Sequence, residues 1–466
     1  MKTEAQLEIY RSVKSEFVDH THFEDKAPQR LIERDAFINN LKYTPEYKYP
    51  RLDSLTSAKI IKKKRALYEA VLELDASQKN PDSDKAGNEL FARSLEVRLK
   101  RIMLVEAARN LTNNNFVLSG MDVNRESFTK LNESLYGEFN ADHYLGMVAT
   151  EKSRVDTFVP KTIVAARIKS KLESLLGNVD VDGKREEALL GDVEIKSFHN
   201  FIINRYADVL GVVPDTADDV YYDVKQCAEI MNRALEVGGL AECGWKVVEN
   251  AKKATPATRW DKSRIFLPSN TRRNASELRR LIIHEQEVHA RRAQNGKDTG
   301  FKPLQMGVGD FADIEEGLGS MMECAVDGSF KNSSFDRARN RYITAGLALG
   351  ADGKPRDARE VYEILWRITA VQDKADGNID NEAVKKAKEK AYIHVENAYR
   401  GTQFWMKGVI YTKLKVYYEG LAKNADYFKR NIDNLDATFE DIFIGKYNHT
   451  DPVEKDLVKS IVSRKK

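Results

Sequence analysis

The stretch Leu281-Ile-Ile-His284-Glu285-Gln286-Glu287-Val288-His289-Ala-Arg-Arg292 combines two histidines with a carboxylate directly after the first. Neutral imidazoles ligate Zn²⁺, and a carboxylate beside them can take the proton of a water that the ion activates. The short form of this pattern, H-E-x-x-H, places both rings on one helix face at i and i+4. Here the histidines are five apart, which on a regular α-helix turns them about 140° from each other. A π-type widening between them restores a shared face, and such widenings concentrate at functional sites. The spacing therefore predicts a locally widened helix between His284 and His289.

A catalytic zinc normally takes three protein ligands and a water. The third is expected from Glu315-Glu316-Gly317-Leu318, where two carboxylates open a predicted helix and glycines at 317 and 319 allow a close approach to the motif helix. First-turn acids also serve simply to complement a helix dipole. The residues alone leave open which acid, if either, is the ligand.

The surrounding elements must hold these groups in place. Asn274-Ala-Ser-Glu277 reads as a capping box, and Leu278, Leu281 and Ile282 give the motif helix an apolar stripe. Upstream, Gly244-Trp-Lys-Val-Val-Glu and Ser263-Arg-Ile-Phe-Leu-Pro are short β-rich runs bounded by turn residues, expected as antiparallel neighbours. Helices are expected at about 57–74, 88–110, 161–176, 194–210 and 216–236, the last capped from Asp215–Asp219. Further helices are expected from near Glu315, at 338–371 and at 380–400. Residues 81–87 and the Asn113–Gly120 stretch read as loops. The Lys62–Arg65 run reads as a solvated helix face, because acids follow within about a turn.

The chain has 466 residues, with 75 Lys+Arg against 72 Asp+Glu for a net charge of +3. That balance argues against a nucleic-acid binder, which would carry a basic excess. No apolar run approaches the roughly 20 residues of a membrane span, so no membrane partner is expected. The N-terminus lacks the apolar core of a signal peptide, and three widely spaced cysteines suggest neither a disulfide framework nor a cysteine zinc site. These features point to the cytoplasm. No Gly-x-Ser-x-Gly elbow, Walker loop or dinucleotide fingerprint is present.

The residues Leu135-Tyr136-Gly137, Ile265-Phe-Leu-Pro-Ser, the H-E-x-x-x-H stretch, Asn295-Gly296, Lys302-Pro-Leu-Gln and Glu315-Glu316-Gly317-Leu318 occur in a characteristic order. So do Arg341-Tyr-Ile-Thr-Ala-Gly, Tyr399-Arg400-Gly401-Thr402, Tyr411-Thr412-Lys413 and Tyr418-Glu419-Gly420. Over roughly residues 100–425 the chain resembles the microtubule-associated tyrosine carboxypeptidases and their bacterial relatives. The resemblance implies a single catalytic Zn²⁺ held by His284, His289 and Glu316, with Glu285 as general base. It also implies a protein or peptide C-terminus as substrate and a pocket for an aromatic, tyrosine-like end. Such an enzyme needs a cation for the terminal carboxylate, for which Arg292, Arg400 and Lys413 are candidates, and an oxyanion donor, for which Tyr411 or Tyr418 would serve. The chain departs from the family's usual small Gly at Glu287 and usual Ala at Gly319.

The expected architecture is a predominantly helical α+β, zincin-like metallopeptidase with a small, mostly antiparallel sheet, the motif helix and a helical shell. Residues 1–95 are expected as a helical extension, 96–450 as the catalytic domain and 451–466 as a basic tail. The alternative is a weakly active or inactive zinc-fold protein that binds peptide C-termini, with Glu287 the feature that favours it.

Overall fold

The computed structural model describes residues 9, 12–13, 20–23, 29–77, 84–112 and 118–463, apart from positions 178, 187, 252, 254 and 310. The expected loop residues 81–83 and 113–117 lie outside the described residues. The described remainder of both stretches is helical where a loop was expected, since one helix begins at Lys85 and another at Leu118.

A three-stranded sheet forms the platform for the motif helix. Its strands are β1 (Lys246–Glu249), β2 (Ala257–Arg259) and β3 (Arg264–Leu267), in the order β1-β3-β2. β3 pairs antiparallel with β2, Ile265 opposite Thr258, and parallel with β1, Ile265 opposite Val247. The expected antiparallel pairing of β1 with β3 is thus corrected, and the sheet is mixed rather than mostly antiparallel. The reason lies in the connection. Ala257-Thr-Arg, too short and polar to show an alternating pattern, turns back along one edge of β3 and leaves β1 the other edge. Val247, Ile265 and Leu267 face inward and share a core with Trp245, Met231, Leu278 and Ile282. Period-two alternation in the strands thus meets the apolar stripe of the motif helix.

That helix starts as predicted. The Asn274 side chain accepts from the Glu277 backbone N at 2.9 Å, and Glu277 Oε2 accepts from Asn274 N at 3.3 Å. Seven α-helical residues (Ala275–Leu281) lead into a π-helical stretch (Ile282–Ala290), and an α-helical segment (Arg291–Asp298) follows.

The helix carrying the acids spans Phe311–Asp327, so Glu315 and Glu316 sit beyond its first turn rather than opening it. Its path is set by two glycines. A Cβ on Gly317 would lie 2.1 Å from the backbone of Gly420 in the helix Val416–Arg430, and one on Gly420 would lie 2.2 Å from the Asp313 carbonyl. Only two glycines allow backbones to pass this closely. Asn424 clamps the crossing by donating to the Ile314 carbonyl at 3.0 Å.

Other expectations need adjustment. The helix expected at 216–236 spans Val224–Val237 and is capped by Asp223 with Gln226, because Tyr222 is drawn into a bridge with Arg273. The helix expected over 338–371 is two, Ser333–Leu349 and Ala358–Asp373, separated where Gly350 adopts φ +76° and Asp357 caps the next start. The helix expected at 194–210 is likewise interrupted at Tyr206, between Asp192–Arg205 and Ala207–Gly211. The helix expected at 161–176 is present as Ile163–Leu176.

The helix Lys85–Thr112 runs unbroken through position 95, and its apolar residues share a core with Leu304, Tyr411, Tyr447 and the terminal helix Pro452–Ser463. That terminal helix buries Val458 and Ile461. Cys227, Cys243 and Cys324 are unpaired, and no described helix is long and apolar enough to cross a membrane.

Candidate metal centre

The π-helical stretch does what the five-residue spacing requires. An i→i+5 turn brings residues five apart onto one face. The His284 and His289 rings lie 4.8 Å apart between centroids, inclined at 70°. Glu316 reaches across from the neighbouring helix, and one donor atom from each of His284, His289 and Glu316 lies within 4.8 Å of the others. Among the described residues this is the one such cluster of potential metal ligands.

Each imidazole is oriented by a carboxylate. His284 Nδ1 donates to Glu323 Oε1 at 2.5 Å, and the other oxygen of Glu323 accepts from the Ser334 hydroxyl. His289 Nδ1 donates to Glu315 Oε1 at 2.8 Å. Glu315 is itself gripped by Arg292 at 3.0 Å and Lys446 at 2.5 Å. With both Nδ1 atoms engaged, both Nε2 atoms are left to face an ion. Glu315, weighed with Glu316 as the third member, hydrogen-bonds His289 instead of joining the cluster.

The electrostatics show a site short of positive charge. Burial would lower the pKa of His284, yet Glu323, with Glu285 and Glu316, lifts it to about 9. Burial would raise Glu315, but Lys446, Arg292 and His289 together hold it far below the usual carboxylate range. Two imidazoles, one carboxylate and a surplus of acids fit a divalent cation that prefers nitrogen and oxygen ligands.

Glu285 is buried beside this cluster, and its Oε2 accepts from Thr258 Oγ1 at 2.6 Å. The short strand β2, invisible in the sequence pattern, thus positions the acid that follows the first histidine. Gly319 gives the His284 ring its room, since a Cβ there would sit 2.7 Å from Cε1. Glu287 neither faces solvent nor crowds the histidines. It is buried and paired with Arg291 at 3.1 Å, and Arg291 also holds the Gly238 carbonyl at 2.8 Å.

The candidate substrate groups divide. Arg292 is completely buried and donates to the carbonyls of Ile442, Gly445 and Tyr447 as well as to Glu315. A guanidinium so engaged cannot also receive a peptide carboxylate, so the expectation for Arg292 is corrected to an orienting role. The Tyr418 ring packs among His143, Phe335 and Tyr342 inside the helical core. Tyr417, one residue earlier, is the neighbouring tyrosine in electrostatic range of Glu316. Burial and Glu316 push its hydroxyl up to about 12, and the Arg341 guanidinium lies 3.9 Å from its ring centroid. Two adjacent tyrosines differ by only about 100° around a helix, so sequence alone could not choose between them. Tyr411 is buried with its hydroxyl 3.0 Å from that of Tyr136, and the Arg400 guanidinium lies 5.1 Å from its ring centroid. Burial, Arg101 and Arg400 push the Lys413 amine down to about 8.

A two-histidine, one-carboxylate cluster on a widened helix, backed by a small sheet within a largely helical α+β frame, defines the class of the site. A family model described as microtubule-associated tyrosine carboxypeptidase matches residues 191–460 of the 466, and the chain belongs to this family. No curated protein and no solved structure is similar enough to match.

Proposed function

We propose that the protein is a zinc-dependent carboxypeptidase that removes a C-terminal residue, aromatic and tyrosine-like, from a protein or peptide. The observation that carries this reading is the gathering of His284, His289 and Glu316 beside Glu285 on a helix widened between its histidines. Membership of a family described as tyrosine carboxypeptidases supports the reaction class.

Zn²⁺ bound by these three residues would supply Lewis acidity toward the scissile carbonyl and a nearby water. The chain's own groups do the rest. Glu285, held through Oε2 by Thr258, keeps Oε1 for the proton of the attacking water and passes it to the leaving amine. Tyr417 and Tyr411 are the candidate donors toward the developing oxyanion, and Arg400 and Lys413 the candidate cations for the terminal carboxylate. Glu315 and Glu323 keep both imidazoles in the ligating tautomer.

The alternative of an inactive peptide-binding protein rests on Glu287, and that side chain is committed to Arg291. Replacing Glu285 with Gln separates the two. Hydrolysis of peptides ending in tyrosine is expected to vanish while zinc content stays that of the wild type. A Glu285→Gln protein that hydrolyses at the wild-type rate would sink the proposal.

A further inference from the structure

The helix Ser57–Ser77, which carries the Lys62–Arg65 run, has a second apolar face besides the one it buries. Ile60, Leu67, Ala70, Val71 and Leu74 pack into the core shared with the helix Lys85–Thr112. Ile61, Tyr68 and Leu72 remain 60%, 56% and 49% exposed. At about 100° per residue these three point within about 40° of one another, so they form one stripe along the helix. Apolar residues scattered singly over a surface need no explanation, but aligned ones mark an interaction surface. The helix lies outside the residues 191–460 that the family model matches.

The charges along it are segregated by sign. Lys59, Lys62, Lys63, Lys64 and Arg65 fill the first half, and Glu69, Glu73 and Asp75 the second. Lys64 reaches sideways to Glu106 at 2.8 Å, and Arg65 pairs with Glu69 at 2.7 Å. Lys62 and Glu73 have no ion-pair partner among the described residues. Lys62, Glu69 and Glu73 share one flank of the stripe, about 80° to 120° around the axis from Ile61. A second copy of the helix laid antiparallel, with Ile61 opposite Leu72, brings this flank of both copies together at reversed heights. Lys62 and Arg65 of one copy then face the partner's Glu69 and the partner's Glu73, and the reverse. A parallel pair would set the two lysine-rich halves side by side, which like charges disfavour. A uniformly anionic surface would complement only the first half.

We propose that the exposed face of Ser57–Ser77 docks a second copy of this chain, the two helices lying antiparallel about a two-fold axis near Ala66 and Leu67. Such pairing needs only one self-complementary patch and is the commonest form of self-association. Burial of the apolar stripe supplies the attraction, and the flanking charges set the orientation. One helix face is smaller than a standard protein interface, so the dimer is weak and depends on concentration.

The test is sedimentation velocity of the full chain from about 1 to 500 µM, a range suited to an interface below standard size. The average mass is expected to rise from that of one chain toward twice it. Tyr68→Glu should hold the protein at the mass of one chain throughout. Lys62→Glu with Arg65→Glu should weaken association at least about tenfold, and adding Glu69→Lys and Glu73→Lys should restore it. All these positions are exposed, and thermal melting checks that each variant folds. A wild-type protein that stays at one chain's mass overturns the proposal. So does a wild-type dimer that Tyr68→Glu leaves intact, because the contact then lies elsewhere. Failure of the full charge exchange to restore association overturns the antiparallel arrangement. Flotation with phosphatidylserine–phosphatidylcholine vesicles tests the other occupant: a monomer that floats with them, and that Tyr68→Glu releases, makes the stripe a membrane surface and overturns self-docking.

Discussion

His284 Nδ1 sits 2.5 Å from Glu323 Oε1, two turns further along the same helix that carries Glu316. One helix thus supplies both the proposed carboxylate ligand and the group that orients a histidine ligand. Burial would raise the Glu323 pKa, but His284 and Ser334 hold it down, so it stays ionised and fixes the imidazole tautomer. Glu323→Gln keeps the shape and removes the charge. Zinc affinity, measured by competition with a chromophoric chelator, is expected to fall about tenfold. An unchanged affinity would show that the ring needs no such support.

Thr258 places a second demand on the site. Its hydroxyl is 2.6 Å from Glu285 Oε2 and 3.1 Å from the Glu285 carbonyl oxygen, tying β2 to the proposed general base. Thr258→Val is nearly isosteric and leaves the metal cluster untouched. Turnover of a peptide ending in tyrosine should drop about tenfold at constant zinc content, since a misplaced base loses part of its contribution. A fall in zinc content instead would place Thr258 in metal binding.

Glu287 separates stability from chemistry. Its buried carboxylate faces Arg291, and burial raises its pKa against the pull of that guanidinium. Glu287→Gln should cost about 1–2 kcal/mol of unfolding free energy through the weakened pair, with Arg291 partly exposed to solvent. Zinc affinity and peptide turnover should remain within about twofold of wild type. Enhanced turnover would mean that this carboxylate does burden the metal site.

The core of the site was legible because it is local. His284, Glu285 and His289 lie on one helix, and their spacing alone demanded the widening found at Ile282–Ala290. The Asn274 cap and the apolar stripe followed from short-range rules for the same reason. What the sequence hid depends on chain crossings. Thr258 matters only because a three-residue strand returns along β3. Arg292 misled because exposure cannot be read from a charged residue type; here three backbone carbonyls and an acid bury it. Gly317 and Gly420 carried a signal that could be noticed but not paired, since nothing local says that the two glycines meet.

Two buried histidines outside the cluster make the stability of the fold sensitive to acid. His394 is buried with an unpartnered Nδ1. Burial first, then Arg341 and Arg337, lower its pKa to about 3. His449, whose Nε2 is 3.0 Å from Asn424 Oδ1, is pushed well below 6.5, chiefly by burial with Arg292 and Lys455 adding to it. Both are neutral in the folded chain but take up a proton near pH 6.5 once unfolded. Their stabilisation is therefore full above pH 6.5 and is lost as pH falls from there toward the folded values. His284 in the metal-free protein shifts the other way, to about 9, so below pH 6.5 it is protonated in both states and adds no slope. Urea unfolding of the metal-free protein between pH 7 and 5 should lose stability with a slope approaching about 1.4 kcal/mol per pH unit for each histidine. His394→Gln should remove about half of that slope. A stability that stays flat across this window would mean that one or both rings can be protonated without unfolding the chain around them.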